Sequence, residues 1–204
     1  WIWILDPLDG TKDFIQGTGN YAMHLALNYK NKPLIGVVLV PDKDELWITN
    51  GLNVWCESRK GNIKKVNLSN NFRLEDMKLV ASKNHRNSIL QNLIKNIPFK
   101  SSIEMGSIGC KISTILKGDA DIYISLSVPG QNSPKDWDLA APEAILVASG
   151  GKITNLNNEE LKYNSTEFKH PGVIIASNNK NNHELICNQI RQIVVEKKLL
   201  PFYI

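Results

Sequence analysis

Apolar and polar residues follow two different periods along the chain, and the change of period divides it into two parts. Up to residue 58, short segments of alternating apolar and polar residues are separated by turns, which predicts an antiparallel meander of strands. From residue 79 onward, strand-like segments alternate with segments whose apolar residues recur at helical spacing. The pattern therefore predicts a layered α/β fold.

The individual elements follow from the same pattern. Residues 1–5 are apolar throughout, which predicts a buried strand that leads into a polar turn at residues 6–10. The other predicted strands cover residues 21–27, 34–40, 45–49, 54–58, 79–81, 121–126, 152–154 and 173–176, and the predicted helices cover residues 89–97, 108–116, 138–148 and 185–194. We expect one domain, residues 1–204, in which residues 1–76 form the first strand and the meander and residues 77–204 form a mixed α/β sub-lobe.

The composition is that of an ordinary soluble domain, with 42% hydrophobic residues, 22% charged residues and a net charge of +4. The basic residues are dispersed and no apolar run approaches the roughly 20 residues of a membrane span, so neither a nucleic-acid polymer nor a membrane is an expected partner. Three widely spaced cysteines, Cys56, Cys110 and Cys187, predict reduced thiols in a cytoplasmic protein. The mildly basic balance suits a small anionic substrate.

The first candidate site follows the predicted first strand directly, in the segment Asp6-Pro7-Leu8-Asp9-Gly10-Thr11. Pro7 disfavours helical geometry at Asp6, so the strand stays extended up to this carboxylate, and Asp9 adds a second one. Two carboxylates and the Leu8 carbonyl are oxygen ligands of the kind that Mg2+ prefers. Gly10 would let a phosphate approach the backbone, and Thr11 adds a hydroxyl. Taken alone, the segment could equally be a polar turn with two solvated aspartates.

The second candidate site is the segment Lys135-Asp136-Trp137-Asp138-Leu139-Ala140-Ala141-Pro142-Glu143. Asp138 is placed at the predicted start of a helix, where the dipole and the unpaired N–H groups favour a carboxylate. Pro142 then falls near the first turn, where proline is best tolerated. Asp138 could be only an N-cap and Trp137 only part of the core, and Asp136 is the alternative ligand to Asp138.

Together with the downstream Gly150-Gly151, the two segments resemble the paired motifs of the inositol monophosphatase superfamily in order and spacing, over essentially the whole chain. The resemblance implies a sugar-phosphatase-like αβαβα architecture and a phosphomonoesterase that binds two or three Mg2+ ions and is inhibited by Li+. It implies these roles: metal ligation by Asp6, the Leu8 carbonyl, Asp9 and Asp138, phosphate binding by the N–H groups of Gly10 and Thr11, and catalysis by Asp9 and by Thr11, whose hydroxyl helps orient the attacking water.

Members of the superfamily also carry an acidic pair on a helix that precedes the strand at residues 1–5. The sequence starts with that strand. We therefore expect that N-terminal helices are missing from it, and that the chain alone folds poorly or binds metal weakly.

Three further elements resemble the 3'(2'),5'-bisphosphate nucleotidases of the superfamily, of bacterial type. They are Gly10-Thr11-Lys12-Asp13-Phe14, Ser82-Lys83-Asn84-His85, and Gly106-Ser107-Ile108-Gly109-Cys110-Lys111. The resemblance implies substrate binding by Ser82, His85, Ser107, Lys111 and Asp138. A helix N-terminus at Ser107 offers N–H groups to an anion, and Lys111 one turn on could meet a second phosphate. Without the resemblance, His85 would be a surface histidine and Lys111 a solvated cation.

The resemblance implies that the substrate is a small phosphorylated nucleotide. The expected reaction removes the 3'-phosphate of adenosine 3',5'-bisphosphate to give AMP, with 3'-phosphoadenosine 5'-phosphosulfate as a second substrate, in a monomeric or homodimeric enzyme of sulfur metabolism. A phosphatase for inositol-1-phosphate or fructose-1,6-bisphosphate is the alternative, because the aspartates are common to all these enzymes. A phosphate-binding fragment without turnover is the non-enzymatic alternative. His24, inside an apolar strand, is expected to be structural.

Overall fold

Two β-sheets separated by helices form the framework of the chain in the computed structural model, which describes residues 1–84, 87–128 and 132–200. The six strands of the first sheet follow sequence order, and every neighbouring pair is antiparallel. They are β1 (Ile2–Asp9), β2 (Ala22–Tyr29), β3 (Lys32–Val40), β4 (Glu45–Thr49), β5 (Val54–Glu57) and β6 (Ile63–Lys64), and a short helix, α1 (Thr11–Ile15), follows β1. This sheet is the predicted meander.

The second sheet is mixed. It contains β7 (Lys78–Ser82), β8 (Ser101–Met105), β9 (Ile122–Ser127), β10 (Lys152–Asn155) and β11 (Gly172–Ser177), in the spatial order β10-β11-β9-β7-β8. Strand β7 pairs in parallel with β8 and β9, and the other pairs are antiparallel. Parallel neighbours need crossover connections, which α2 (Ser88–Asn96) and α3 (Ile108–Leu116) supply.

Two apolar cores lie on the two faces of the second sheet. One contains α3 and α4 (Asp136–Ala148), packed between the sheets against residues such as Trp47 and Ile174. The other contains α2 and α5 (His183–Glu196) on the opposite face, with Leu90, Ile175 and Ile190. The layers therefore run sheet, helices, sheet, helices, which confirms the predicted layered α/β fold.

Helix α4 lies close against the first sheet because small residues meet there. A Cβ atom on Gly36 of β3 would lie 2.7 Å from the carbonyl oxygen of Ala141 and 3.0 Å from the Cβ of Ala144. Only glycine allows the helix to approach the strand this closely. The contact fixes the height of α4 above the sheet, and with it the position of Asp138 near the start of the helix.

Two predictions about the first strand are wrong. The strand does not end at residue 5 but continues to Asp9, because β2 provides pairing partners up to that residue. It is also not buried, since Trp1 is 72% and Trp3 63% exposed. The reason is its place at the edge of the sheet, where β2 is its only paired strand among the described residues.

The other predicted elements agree with the structure to within two residues at each end. Three short elements are not evident from the sequence pattern: α1, β6 and β8. Strand β8 escapes the pattern because four of its five residues are exposed and only two are apolar. Within the described ranges, no helix has both the length and the apolar character that crossing a membrane requires.

Candidate metal and phosphate site

Three carboxylates from distant parts of the sequence converge in one cleft. Asp6 and Asp9 belong to β1, and Asp138 belongs to the first turn of α4. Each offers one oxygen, and these oxygens lie within 4.8 Å of one another. Carboxylate oxygens at this separation fit the hard divalent cation that the sequence predicts, so the residues present suit Mg2+.

A bulge in β1 brings Asp6 and Asp9 to the same face of the sheet. Residues three apart in a regular strand point to opposite faces. Here Asp6 pairs with His24 and Asp9 with Ala22, so β1 has one residue more than β2 between the two pairs. Because His24 and Ala22 share the buried face of β2, the two aspartates opposite them share that face as well.

The N-terminus of α3 holds the side chain of Asp9. The Oδ2 atom of Asp9 accepts hydrogen bonds from the Ser107 hydroxyl at 2.7 Å and from the Ile108 backbone nitrogen at 2.5 Å, and the Gly109 nitrogen lies 3.4 Å away. Unpaired N–H groups and the helix dipole both favour a negative charge there. The N–H groups that the sequence appeared to offer to a substrate anion are therefore directed at a carboxylate of the protein itself.

Asp138 lies inside the first turn of α4, so the predicted start of the helix at Asp138 is two residues too late and the alternative that Asp138 is only an N-cap is wrong. The helix begins at Asp136, and the Oδ2 atom of Asp138 accepts a hydrogen bond from the Lys135 backbone nitrogen at 2.6 Å. Pro142 consequently lies in the second turn. Since proline has no N–H, the Asp138 carbonyl does not receive the usual helical hydrogen bond from residue 142.

Asp136, the alternative ligand, has other partners. Its Oδ1 atom lies 2.8 Å from His170 Nε2, and its Oδ2 atom accepts a hydrogen bond from the Asn164 nitrogen at 2.7 Å. Both Asp136 and His170 are buried, and burial lowers the pKa of His170 despite the hydrogen bond that its ring donates to Asp136. The pair anchors the start of α4 and lies outside the three-carboxylate group.

Burial and mutual repulsion make the carboxylate cluster costly without a cation. Burial, and after it the charges of Asp9 and Asp6, raises the pKa of Asp138 to about 7. Burial likewise raises the pKa of Asp6, although the Leu8 N–H donates to Asp6 Oδ1 at 3.0 Å. Groups arranged in this way gain most from a bound cation, which would neutralise them.

The turn after β1 requires a glycine. Gly10 has a φ of +86°, and a Cβ atom there would lie 2.9 Å from the Asn20 carbonyl oxygen and 3.0 Å from the Ser107 nitrogen. The next residue, Thr11, donates its hydroxyl hydrogen to the Leu8 carbonyl at 3.2 Å. Leu8, Gly10 and Thr11 line the same cleft as the aspartates.

The cleft has a volume of about 910 Å3. It brings together all the predicted site residues except one, because His85 lies outside the described residues. Several lining residues were not predicted from the sequence: Asn84, Tyr123, Ser125, Ser133 and Trp137. Tyr123 and Ser125 belong to β9, which reads only as a buried strand in the sequence, so nothing in the pattern marks them as cleft residues.

Lys111 is a buried cation beside this cleft. Only 3% of its surface is exposed, its Nζ donates to the Gly106 carbonyl, and it lies 5.4 Å from the centre of the Tyr123 ring. Burial lowers the pKa of Lys111, while neighbouring carboxylates, Asp9 foremost, raise it. The alternative of a solvated surface lysine is therefore wrong.

Asp13 ties two parts of the cleft wall together, a role that the sequence did not reveal. It is fully buried and accepts hydrogen bonds from the Thr18 hydroxyl at 2.6 Å and from Asn84 Nδ2 at 2.5 Å. The contact joins α1 to the segment after β7, and Gly106 lies so close that a Cβ there would be 2.2 Å from Asp13 Oδ2. The only sequence feature that pointed to Asp13 was its place in the G-T-K-D-F motif, which does not indicate this structural role.

The layered fold and the three-carboxylate cleft define an α/β protein with a candidate site for a divalent cation. Residues 1–195 match the inositol monophosphatase family, and the chain belongs to that family.

Named relatives refine the comparison. The chain is 34% identical over 161 residues to the 3'(2'),5'-bisphosphate nucleotidase CysQ of Buchnera aphidicola, an alignment that covers 79% of this chain and 57% of the relative. Its fold matches CysQ from Bacteroides thetaiotaomicron with a TM-score of 0.71 at 26% identity, covering 88% and 70% of the two chains. It matches an inositol monophosphatase from Zymomonas mobilis with a TM-score of 0.73 at 21% identity, covering 93% and 70%. The chain thus spans less than two thirds of the length of the Buchnera relative.

Proposed function

We propose that the protein is a Mg2+-dependent phosphomonoesterase whose substrate is adenosine 3',5'-bisphosphate or a closely related nucleotide. The observation that carries the proposal is the convergence of Asp6, Asp9 and Asp138 within 4.8 Å in a cleft large enough for a nucleotide. Membership of the inositol monophosphatase family supports the reaction class. The names of the relatives support the nucleotide.

Asp6, Asp9, Asp138 and the Leu8 carbonyl would hold the metal, in two or three Mg2+ positions. Bound Mg2+ would neutralise the phosphate and lower the pKa of a coordinated water. The protein supplies a fixed set of oxygens, because the bulge of β1, the N-terminus of α3 and the Asp136–His170 pair each hold one part of the site. Fixed ligands favour the bound ion, since little reorganisation is needed on binding.

Gly10 and Thr11 are proposed to bind the phosphate that is cleaved. Their backbone lies beside the aspartates, and the absence of a side chain at Gly10 leaves room for phosphate oxygens. The Thr11 hydroxyl, which donates to the Leu8 carbonyl, can accept a hydrogen bond from the attacking water and orient it. These residues act by orientation, which contributes strongly to phosphoryl transfer.

The second phosphate is proposed to interact with Lys111. A buried ammonium group at the cleft wall is a strong site for a second anionic group, since few water molecules compete with it. Ser82 and Ser107 line the same cleft. His85, the other substrate residue that the resemblance implied, lies outside the described residues. The charge of Lys111 would discriminate a bisphosphate from a monophosphate, whereas the aspartates do not.

Hydrolysis of inositol-1-phosphate or fructose-1,6-bisphosphate is the second candidate. The inositol monophosphatase of Zymomonas mobilis has the same fold. A site that places three carboxylates and a glycine turn around a phosphate accepts any phosphate ester that the rest of the cleft admits. The choice between the candidates depends on the residues around Lys111.

The test measures phosphate release from adenosine 3',5'-bisphosphate, inositol-1-phosphate and fructose-1,6-bisphosphate, with Mg2+ and with EDTA, using the 204-residue chain. Asp138→Asn is the matched control, because it keeps the size of the side chain and removes one metal ligand. Mg2+-dependent preference for the nucleotide supports the proposal. Preference for inositol or sugar phosphates would be consistent with the proposed metal site but would contradict the proposed nucleotide substrate. Tight nucleotide binding without phosphate release would favour a binding role.

A further inference from the structure

His24 is buried between the two motifs that supply the carboxylates. It lies in β2 opposite Asp6, on the face that turns toward the helices between the sheets, and only 1% of its surface is exposed. On the other side of β2, His24 pairs with Val38 of β3. A histidine in such an apolar layer needs a reason, because burying a polar ring without partners is costly.

The two ring nitrogens of His24 face the two halves of the site. The Nδ1 atom lies 3.3 Å from the carbonyl oxygen of Trp137, the residue before Asp138. Since a carbonyl only accepts, Nδ1 is the donor in this contact. The Nε2 atom lies 3.3 Å from Asp9 Oδ2, although it is not aligned for a hydrogen bond. One side chain thus touches both ligand-bearing segments.

Helix α3 is shaped to leave room for the ring. A Cβ atom on Gly109 would lie 2.3 Å from His24 Nε2 and 2.7 Å from a methyl carbon of Val38. A glycine in the first turn of a helix costs stability relative to alanine, so the space it leaves has a compensating use. The ring occupies that space and lies against Asp9 Oδ2. This is the oxygen that accepts hydrogen bonds from Ser107 and Ile108 of the helix.

We infer that His24 is a positioning residue that sets the separation of Asp9 from Asp138 and thereby the affinity for the divalent cation. The inference rests on the proposed metal site. Without the ring, Asp9 is held by α3 alone and the start of α4 loses its link to β2 through the Trp137 carbonyl. The two carboxylates then relax apart under their own repulsion, and the protein must draw them together again when the ion binds.

The test compares three variants by direct titration of Mn2+, as a Mg2+ substitute, using calorimetry or the electron paramagnetic resonance of free Mn2+. His24→Asn keeps a donor near the position of Nδ1, His24→Gln places an amide near the position of Nε2, and His24→Leu does neither. The matched control is Asn28→Leu, four residues further along the same buried face of β2. Thermal unfolding without metal is recorded for each protein.

We expect the Mn2+ dissociation constant to rise about 10- to 100-fold in His24→Leu and less in His24→Asn and His24→Gln, with no change in Asn28→Leu. Partial rescue by the two amides separates positioning from general folding, and these variants keep the test valid if the leucine variant does not fold. Unchanged Mn2+ affinity in all three His24 variants would overturn the inference. The inference would also be overturned if Asn28→Leu lost Mn2+ affinity to the same extent as the His24 variants, in proportion to its loss of Tm.

The outcome for the wild-type protein separates this inference from the proposed function. Saturable Mn2+ binding without phosphate release from any of the three esters would reject the proposed activity and leave the role of His24 to be decided by its variants. No saturable binding by the wild-type protein would overturn the metal site and the role of His24 with it.

Discussion

The hydroxyl of Ser107 lies 2.7 Å from the Oδ2 atom of Asp9, and this contact joins the end of β1 to the start of α3 across 98 positions of sequence. The same hydroxyl oxygen accepts a hydrogen bond from the Cys110 nitrogen at 3.2 Å, so Ser107 caps the helix while it holds the aspartate. Two motifs that look independent in the sequence are thus one structural unit. Ser107 is in a position to act on the substrate through the carboxylate rather than by touching it.

Replacing Ser107 with alanine tests that relationship. Loss of the cap should lower the free energy of unfolding by about 1 kcal/mol, and the less restrained Asp9 should raise the Mg2+ concentration needed for half-maximal activity. The KM for the nucleotide at saturating Mg2+ should change much less. A large increase in KM with an unchanged Mg2+ requirement would instead assign Ser107 to direct substrate binding.

Asp138→Asn should have opposite effects on stability and on function. Burial raises the pKa of Asp138 to about 7, so at pH 8 the metal-free protein holds a charge that its surroundings disfavour. The neutral amide should raise the metal-free Tm by roughly 3–6 °C, for a gain of about 1–2 kcal/mol. The same change should remove most of the Tm increase that Mg2+ gives and lower kcat by at least about 100-fold, because a ligand is lost.

Thermal unfolding at pH 8, with EDTA and with Mg2+, measures both effects on one sample. Asp136→Asn is a useful comparison, since Asp136 is buried nearby but paired with His170. It should lower Tm rather than raise it, because it weakens a buried pair. If Asp138→Asn were unstable without metal and still stabilised by Mg2+, the assignment of Asp138 as a ligand would be wrong.

Lys111→Met should change substrate preference. Methionine fills much of the same buried space without the charge, so the helix should keep its packing. We expect the KM for adenosine 3',5'-bisphosphate to rise about 10- to 100-fold, the value of a charge-assisted contact, while hydrolysis of inositol-1-phosphate changes little. Equal losses on both substrates, together with a lower Tm, would show that Lys111 acts through folding.

The layered fold could be predicted because apolar periodicity indicates which faces of an element are buried. This periodicity correctly predicted the meander and α3. It could not show that β1 contains a bulge, because the extra residue between Asp6 and Asp9 depends on pairing with β2. It also misplaced the start of α4, since the contacts of Asp136 with His170 and Asn164 that begin the helix come from more than 25 residues away.

The candidate site follows the same division. Asp6, Asp9 and Asp138 were predicted from the resemblance of their two motifs to a known family, since neither motif identifies a metal site by itself, and the structure brings them together. His24 was assigned only a structural place, because its contacts to Asp9 and Trp137 are set by the packing of three elements. No periodic pattern distinguishes a histidine that supports a site from one that merely fills a core.

Glu143 should make stability fall as pH rises, independently of the metal site. Burial raises the pKa of Glu143 to about 8 from an ordinary value of 4.5, although the Tyr163 hydroxyl donates to it. Between these two values the unfolded chain has lost a proton that the folded protein keeps, so unfolding releases a proton and a higher pH favours it. The contribution is fully present below pH 4.5 and is lost as pH rises to 8.

Glu143→Gln removes this dependence and keeps an acceptor for Tyr163. Urea unfolding at pH 5, 6, 7 and 8 should show the variant gaining stability relative to the wild-type protein at each step, by at most about 1.4 kcal/mol per pH unit and by less where Glu143 keeps contact with solvent. Glu160→Gln is the control, because Glu160 is exposed and its pKa is lowered by Lys32, so its removal should leave the slope between pH 5 and 8 unchanged. Parallel pH profiles for the wild-type protein and Glu143→Gln would mean that Glu143 is ionised in the folded state throughout this range, and that water reaches it beside Tyr163.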